Sequence, residues 1–414
     1  MRNSLIMVLA AALAAPGLLA AQADADPSRL YGRIVTTDGS RYEGFIRWDG
    51  NEAGWFDILS GSKPIPERNR RDAERLGWEP ERRERRIEVF GIGITWDEDE
   101  VQIGSSSQSG IRFGHVSTLE RLSSNRARVI LKSGEEVELR GGDVGTSADE
   151  ILVEDPRGGQ VELDWRDIRV IDFMGGPSVP SRWGERLYGT LETRDGRRFT
   201  GYVAWDMDEL FTTDVLDGDE GGRDHEIPFG RIRAIERYSS NAARVTLIDG
   251  QHRVLRGSND VNDENRDIMV ADPALGEVRV EWDELERVDF ESPPGQVELG
   301  VFDGGGRITG TVYARGGESH TGLVRWDNDE EYTWEILDGA VRDGVDLDIE
   351  FDAIRSIERV AYDVCRVTLK DGRTFELSDS NDVDEGNKGV YVERPDGTLV
   401  LVPWDRFERA EFEN

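Results

Sequence analysis

The residues best suited to chemistry lie in two near-identical polar stretches, SNDVNDEN from Ser258 and SNDVDEGN from Ser380. Asn259, Asp260, Asn262, Asn381, Asp382 and Asp384 carry short oxygen-bearing side chains of the kind that ligate Ca²⁺. Their spacing departs from the EF-hand loop, because the fifth position counted from Asp382 is Gly386. The corresponding stretch earlier in the chain reads GGDVGTSADE and keeps only part of the set. Asn and Asp also close tight loops through side-chain to backbone hydrogen bonds. Loop structure is therefore the expectation for these six residues, with calcium as the alternative.

Other reactive types are sparse. The four histidines, His115, His225, His252 and His320, are isolated in sequence, with no HExxH and no cysteine cluster, so neither a metal centre nor a cofactor is expected. The single cysteine, Cys365, sits in the apolar alternation DVCRVTL and reads as a small buried hydrophobe. GSSSQSG from Gly104 lacks the Gly-x-Ser-x-Gly spacing, and Gly304 to Gly306 precede no helical pattern. Paired carboxylates can act as acid and base, but with 85 acidic residues almost any window holds a pair. No catalytic residue can be nominated on this basis, and the expectation is a protein that is not an enzyme.

The polar stretches belong to a longer repeat. LYGRIVTTDGSRYEGFIRWD from Leu30, LYGTLETRDGRRFTGYVAWD from Leu187 and ITGTVYARGGESHTGLVRWD from Ile308 are one pattern written three times. Each is followed by a second pattern, beginning RVIL at Arg128, RVTL at Arg244 and RVTL at Arg366. Both patterns alternate apolar and polar residues around Asp-Gly corners, the signature of a β-hairpin. Both close on a strand, a one-turn kink such as FGRI or WDEL, and another strand. The expected division is 1–23, 24–174 with an insertion at about 62–110, 186–290 and 307–414, separated by Gly/Pro-rich linkers. Residues 307–414 hold both patterns and are expected to fold alone.

Hairpin, Asp-Gly corner and a kink before the last strand resemble the SH3-like and Sm-like small barrels. That resemblance implies an all-β protein of three tandem two-barrel domains, six small antiparallel units in total. Asp49, Asp206 and Asp327 stand near the Asp that Sm-like proteins use beside a base, but the partner Asn does not follow, and RNA binding is not implied. A six-bladed propeller is the alternative; the unequal spacing of Trp165, Trp205, Trp282, Trp326 and Trp404 disfavours it. Recurrent tryptophans at one strand position are expected in the core rather than on a binding face.

Charge and leader give the remaining expectations. The formal net charge of −34 repels nucleic acid and anionic lipid. Arg2, the apolar run from Leu5 to Ala15 and Ala21-Gln22-Ala23 read as a cleaved signal peptide with no stable membrane anchor, which points to the periplasm or the exterior of a bacterium. The insertion alone is basic, holding Arg68, Arg70, Arg71, Arg75, Arg82, Arg83, Arg85 and Arg86 on a segment where Pro66 can open and Gly77 can end a short helix. These arginines suit either acidic groups of the same chain or an anionic protein or envelope partner. The expected function is an exported binding or scaffold protein, with a hydrolytic envelope protein and a calcium-stabilised structural module as alternatives.

Overall fold

The computed structural model describes residues 27–77, 88–89, 92–93, 106–146, 150–155, 159–295 and 299–413. The chain is all-β and antiparallel, with one α-helix among the described residues. Copy one contributes β1 (Tyr31–Thr36), β2 (Arg41–Trp48), β3 (Ile58–Pro64), β4 (Ser106–Arg112), β5 (Val116–Ser123), β6 (Arg126–Leu131), β7 (Glu136–Arg140), β8 (Ile151–Asp155), β9 (Gly159–Leu163) and β10 (Ile168–Phe173). Copy two contributes β11 (Tyr188–Thr193), β12 (Arg198–Ala204), β13 (Val215–Asp219), β14 (Asp224–Pro228), β15 (Ile232–Ser239), β16 (Ala242–Leu247), β17 (His252–Leu255), β18 (Ile268–Asp272), β19 (Gly276–Val280) and β20 (Leu285–Glu291). Copy three contributes β21 (Thr309–Ala314), β22 (Glu318–Arg325), β23 (Ile336–Arg342), β24 (Val345–Glu350), β25 (Ile354–Arg359), β26 (Cys365–Leu369), β27 (Thr374–Leu377), β28 (Val390–Glu393), β29 (Leu399–Val402) and β30 (Phe407–Phe412). Strands at the same place in each copy thus differ by ten in number.

Every copy pairs its strands alike. The order β9-β8-β2-β1-β10-β5-β6-β7 recurs as β19-β18-β12-β11-β20-β15-β16-β17 and as β29-β28-β22-β21-β30-β25-β26-β27. The sheets are open at both ends. The hairpin of third and fourth strands leans on the end of the seventh through single bridges, Ser62 to Arg140, Asp219 to Arg256 and Ala340 to Ser378. Its strands and the next three form one group, and this group is nested inside another made of the first, second and last three strands. The two sequence patterns of a copy are therefore not two consecutive units. What makes them look alike is the closure, a strand, a 3₁₀ turn and a strand, found at Phe113–His115, Trp165–Asp167, Phe229–Arg231, Trp282–Glu284, Phe351–Ala353 and Trp404–Arg406. The strands that follow the two turns of a copy pair with each other, as Ile171 with Leu119 and Ile357 with Ala410.

Local chemistry explains the elements. Gly196 and Gly372 turn the corners with φ of 85° and 94°, conformations that side chains other than glycine resist. Within strands the apolar set faces inward: Val367, Leu369, Ile357 and Ala410 are fully buried. One continuous core runs through copies two and three, and a second fills copy one and reaches Tyr202, Phe302 and Trp334 of its neighbours.

The copies lock together by three kinds of contact. Strand β19 of copy two pairs with β24 of copy three, Gly276 opposite Ile349 through Val280 opposite Val345, so one sheet crosses the boundary. Between copies one and two, Arg186 grips Asp57 with both guanidinium nitrogens at 2.6 and 3.2 Å, both side chains about 1% exposed. The Asp57 carboxylate also accepts the backbone N–H of Ala53 and Gly54 at 2.7 Å each, so the buried charge is fully paired. At the meeting of all three, Glu350 lies 3.4 Å from Arg112 and 2.6 Å from His115 Nε2, while Arg373 pairs with Asp272 at 2.5 Å. Phe302, from the linker before copy three, is buried with its ring 5.1 Å from those of Phe56 and His115.

Because β24 depends on β19, the isolated segment 307–414 is expected to keep β-type circular dichroism but to melt well below the segment 186–414. Equal melting temperatures for the two would show that the cross-copy pairing adds no stability.

Candidate functional site

Each copy builds the same polar node at the end of its second strand. The sequences are WDGNE from Trp48, WDMDE from Trp205 and WDNDE from Trp326. The Asp takes a left-handed conformation in all three, with φ of 48°, 49° and 41° at Asp49, Asp206 and Asp327, a region that Asp tolerates better than most residues. The chain then doubles back, so that Trp and Glu exchange backbone hydrogen bonds: 2.7 and 3.1 Å for Trp48 with Glu52, 2.9 and 3.0 Å for Trp205 with Glu209, 2.8 and 3.1 Å for Trp326 with Glu330.

A loop aspartate binds this turn to the nested group. The indole N–H of Trp48, Trp205 and Trp326 donates to the carbonyl of Asp143, Asp260 and Asp382 at 3.0, 2.9 and 2.9 Å. The carboxylates of those same aspartates accept the backbone N–H of Ser60, Asp217 and Asp338 at 2.5, 2.6 and 3.1 Å. All three tryptophans are fully buried, as core residues rather than a binding face. Trp165, Trp282 and Trp404 pack edge-on against them at 6.2, 6.3 and 5.9 Å.

The polar stretches that opened the sequence analysis complete the nodes of copies two and three. Asn259 donates to Asp206, and Asn381 donates to Asp327 at 2.6 Å. Asp260 and Asp382 are the loop aspartates just described. Asn262 accepts the N–H of Glu264 at 2.8 Å, and Asp384 accepts that of Gly386 at 2.6 Å. A cation follows in each: Arg266 lies 3.0 Å from Asp206 and 2.6 Å from Asp208, and Lys388 lies 2.6 Å from Asp327. In copy two the carboxylate oxygens of Asp206, Asp208 and Glu209 come within 4.8 Å of one another beneath that guanidinium.

Burial dominates the electrostatics. It pushes Glu52 and Glu330 well above the usual carboxylate range and Glu209 up to about 10, with neighbouring aspartates adding to the effect. In all three nodes the Oε2 atom of this Glu is buried without a hydrogen-bond partner. Such a group holds a proton or calls for a positive charge.

The arginines of the insertion divide. Helix α1 (Glu67–Leu76) opens at Pro66 and ends at Gly77, whose φ of 80° and N–H bonds to Ala73 and Glu74 cap it. Its buried face, Asn69 and Ala73, lies on copy three. Asn69 donates to the Asn328 carbonyl at 3.0 Å and to Glu331 at 2.8 Å, and accepts from Arg325 at 2.8 Å. Arg68 pairs with Glu331 at 2.7 Å and Arg75 with Asp72 at 3.0 Å, while Arg70 and Arg71 are exposed. Arg82, Arg83, Arg85 and Arg86 lie outside the described residues. Sequence reasoning missed Lys63, which enters the third node: it ion-pairs with Glu335, donates to the Asp329 carbonyl at 2.8 Å and lies 3.8 Å from Glu330. The available signal was rarity. Among 51 basic residues only four are lysine, and Lys63 and Lys388 both serve this node.

Two outcomes are expected. Trp326→Phe removes the donor to Asp382 and leaves a void, and should cost about 3 kcal/mol of stability in denaturant titration. A cost below about 0.5 kcal/mol, the level of an ordinary surface change, would show that the node is not a structural pin. The second concerns pH. Glu277 and Asp348 face each other across β19 and β24; burial, then the charge of Asp348, pushes Glu277 up to about 8, and burial, then the charge of Asp338, pushes Asp348 up to about 7. A carboxyl with a raised folded pKa binds protons more tightly in the folded than in the unfolded state. Stability from this pair is therefore complete below about pH 4 and is lost as pH rises through 7 to 8. The melting temperature should fall between mildly acidic and mildly alkaline pH, and Glu277→Gln should flatten the slope; an unchanged slope would remove this pair as its cause.

Compared with protein-family models, with curated proteins and with solved structures, the chain matches none.

Proposed function

We propose that the chain is an exported, non-enzymatic binding or scaffold protein in which three interlocked acidic copies present one basic helix. The observation that carries this reading is the two-sided character of α1. Its inner face is fixed through Asn69 and Ala73, while Arg70 and Arg71 face solvent on an otherwise acidic molecule. A helix held on one side displays its other side with little ordering cost on binding. Guanidinium groups in such a position match carboxylate or phosphate bidentately, so the partner is an anionic protein or envelope component. The loop aspartates and asparagines of the nodes, by contrast, bond to backbone and side chains of their own copy, which suits a framework. No helix among the described residues is long and apolar enough to cross a membrane. Export to the periplasm or beyond rests on the leader.

The test is capture from an envelope fraction with the full mature chain, compared with Arg70→Glu/Arg71→Glu. The double variant is expected to melt like the parent and to bind the captured partner at least about tenfold more weakly, since each charge-assisted bond is worth about 1.5 to 3 kcal/mol. Undiminished capture by that variant would sink this assignment of the binding surface.

A further inference from the structure

Strands β9, β19 and β29 hold the same place in the three copies, each bonded on one side to the strand before it. Their other edges are treated differently. β9 is an edge strand with Gln160 and Glu162 exposed on its outer face, polar residues of the kind that keep an edge from pairing. β19 carries Glu277 and Arg279 there and takes β24 of copy three along its edge. β29 carries Leu399 and Leu401 in these places, and among the described residues no strand pairs with its outer edge. Gly397 to Trp404 holds no charged side chain, and Leu399, Val400 and Leu401 are partly exposed. An unprotected apolar edge is a template for a further strand.

Backbone geometry fixes how such a strand adds. Arg394 donates to the Thr398 carbonyl at 3.0 Å and closes the hairpin of β28 and β29. Bonded and non-bonded pairs alternate from there, so Val392 with Val400 and Val390 with Val402 share bonds. The N–H and C=O groups of Leu399 and Leu401 therefore point away from β28. Pro403 ends this row, because it has no N–H to offer.

A second copy of this chain is the occupant that fits. The hairpin strands that could follow the example of β24 are β4 and β14. They carry Ser107, Ser109, Arg223 and His225 at the places where Val345 and Leu347 meet Val280 and Val278. Set against Val400 and Val402, those polar groups would lose water without gaining partners. β29 matches itself better. Across a twofold axis normal to the sheet, Val400 stands opposite Val400, Leu399 and Leu401 exchange backbone bonds, and no like charges meet.

We propose that the chain forms a twofold dimer by antiparallel pairing of β29 with β29 of a second copy, with Val400 opposite Val400. Leu399 and Leu401 lie on the α1 side of the sheet, so both α1 helices come to one face of the joined sheet. The pairing is independent of the partner assigned to α1. Pairing over one short strand makes a small interface between chains that each carry a net charge of −34, so association is weak and salt strengthens it by screening.

Sedimentation equilibrium of the full chain is the test. A monomer–dimer equilibrium with Kd of about 10 to 100 µM is expected at about 0.15 M salt, tightening severalfold at about 0.5 M. Leu399→Gln/Leu401→Glu, which gives β29 the outer face of β9, should raise Kd at least about tenfold by setting acidic groups near one another, and should leave the melting of the dilute chain unchanged. Val400→Cys should form an intermolecular disulfide under mild oxidation, since a non-hydrogen-bonded pair brings its Cα atoms to about 4.5 Å, within disulfide reach. The native Cys365 is buried and does not compete. Leu399→Cys, which meets Leu401 rather than itself, should link far more slowly. Cross-linking keeps the test decisive if the double variant does not fold. A chain that stays monomeric throughout, or open-ended association in place of a dimer, overturns the proposal. So does a dimer whose Kd the double variant leaves unchanged, or one that Val400→Cys fails to link.

Discussion

The fold hangs on a single aspartate per copy. Asp143, Asp260 and Asp382 each hold a buried tryptophan by their carbonyl and the third strand by their carboxylate. One residue thus joins the outer strand group to the nested one at the point where apolar packing alone would leave an indole N–H and a strand N–H without partners. Leaving such donors buried and unpaired costs more than the bonds themselves gain, so the constraint works chiefly by exclusion of alternatives. Everything acidic around it follows: the loop must stay close, and the neighbouring turn brings Asp and Glu into the same dry space.

An acidic chain gains from placing its few cations where they meet several copies at once. Arg186, Arg112, Arg373 and Lys63 each cross from one copy to another; the carboxylates of Asp57, Asp272 and Glu335 that three of them meet are themselves held by backbone N–H groups, and Glu350, met by Arg112, is held by His115. Exposed pairs such as Arg33 with Glu43 contribute little by comparison, since solvent screens them. The overall negative charge therefore coexists with paired buried charge at the points where the copies meet.

Much of this was legible in the sequence. Asp-Gly corners, the six closures and helix α1 between Pro66 and Gly77 all obey short-range rules that one window of residues can reveal. The polar stretches were readable as loop structure, because Asn262 and Asp384 bond within two residues of themselves. The nesting was not readable, since Gly32 pairs with Phe173 and no local feature of either residue names the other. For the same reason Lys63 gave no sign that its ammonium would rest on Asp329 and Glu335 of copy three. The two patterns of a copy looked like consecutive units because their turns repeat, whereas pairing follows the long-range route.

Nesting has a kinetic side. Strand β2 pairs with β8, and β1 with β10, so the outer group of a copy stays incomplete until nearly the whole copy has emerged. Only the inner group, β3 to β7, can close early, and its closure brings the distant ends together. Contacts of such sequence separation make folding slow, because the entropy of closing the intervening loop must be overcome before the contact forms. Assembly from inside outward, one copy after another, is the order this topology imposes. During that interval β2 offers an unpaired edge, and the charged residues along it, Arg41, Glu43 and Arg47, discourage pairing with a second unfinished chain.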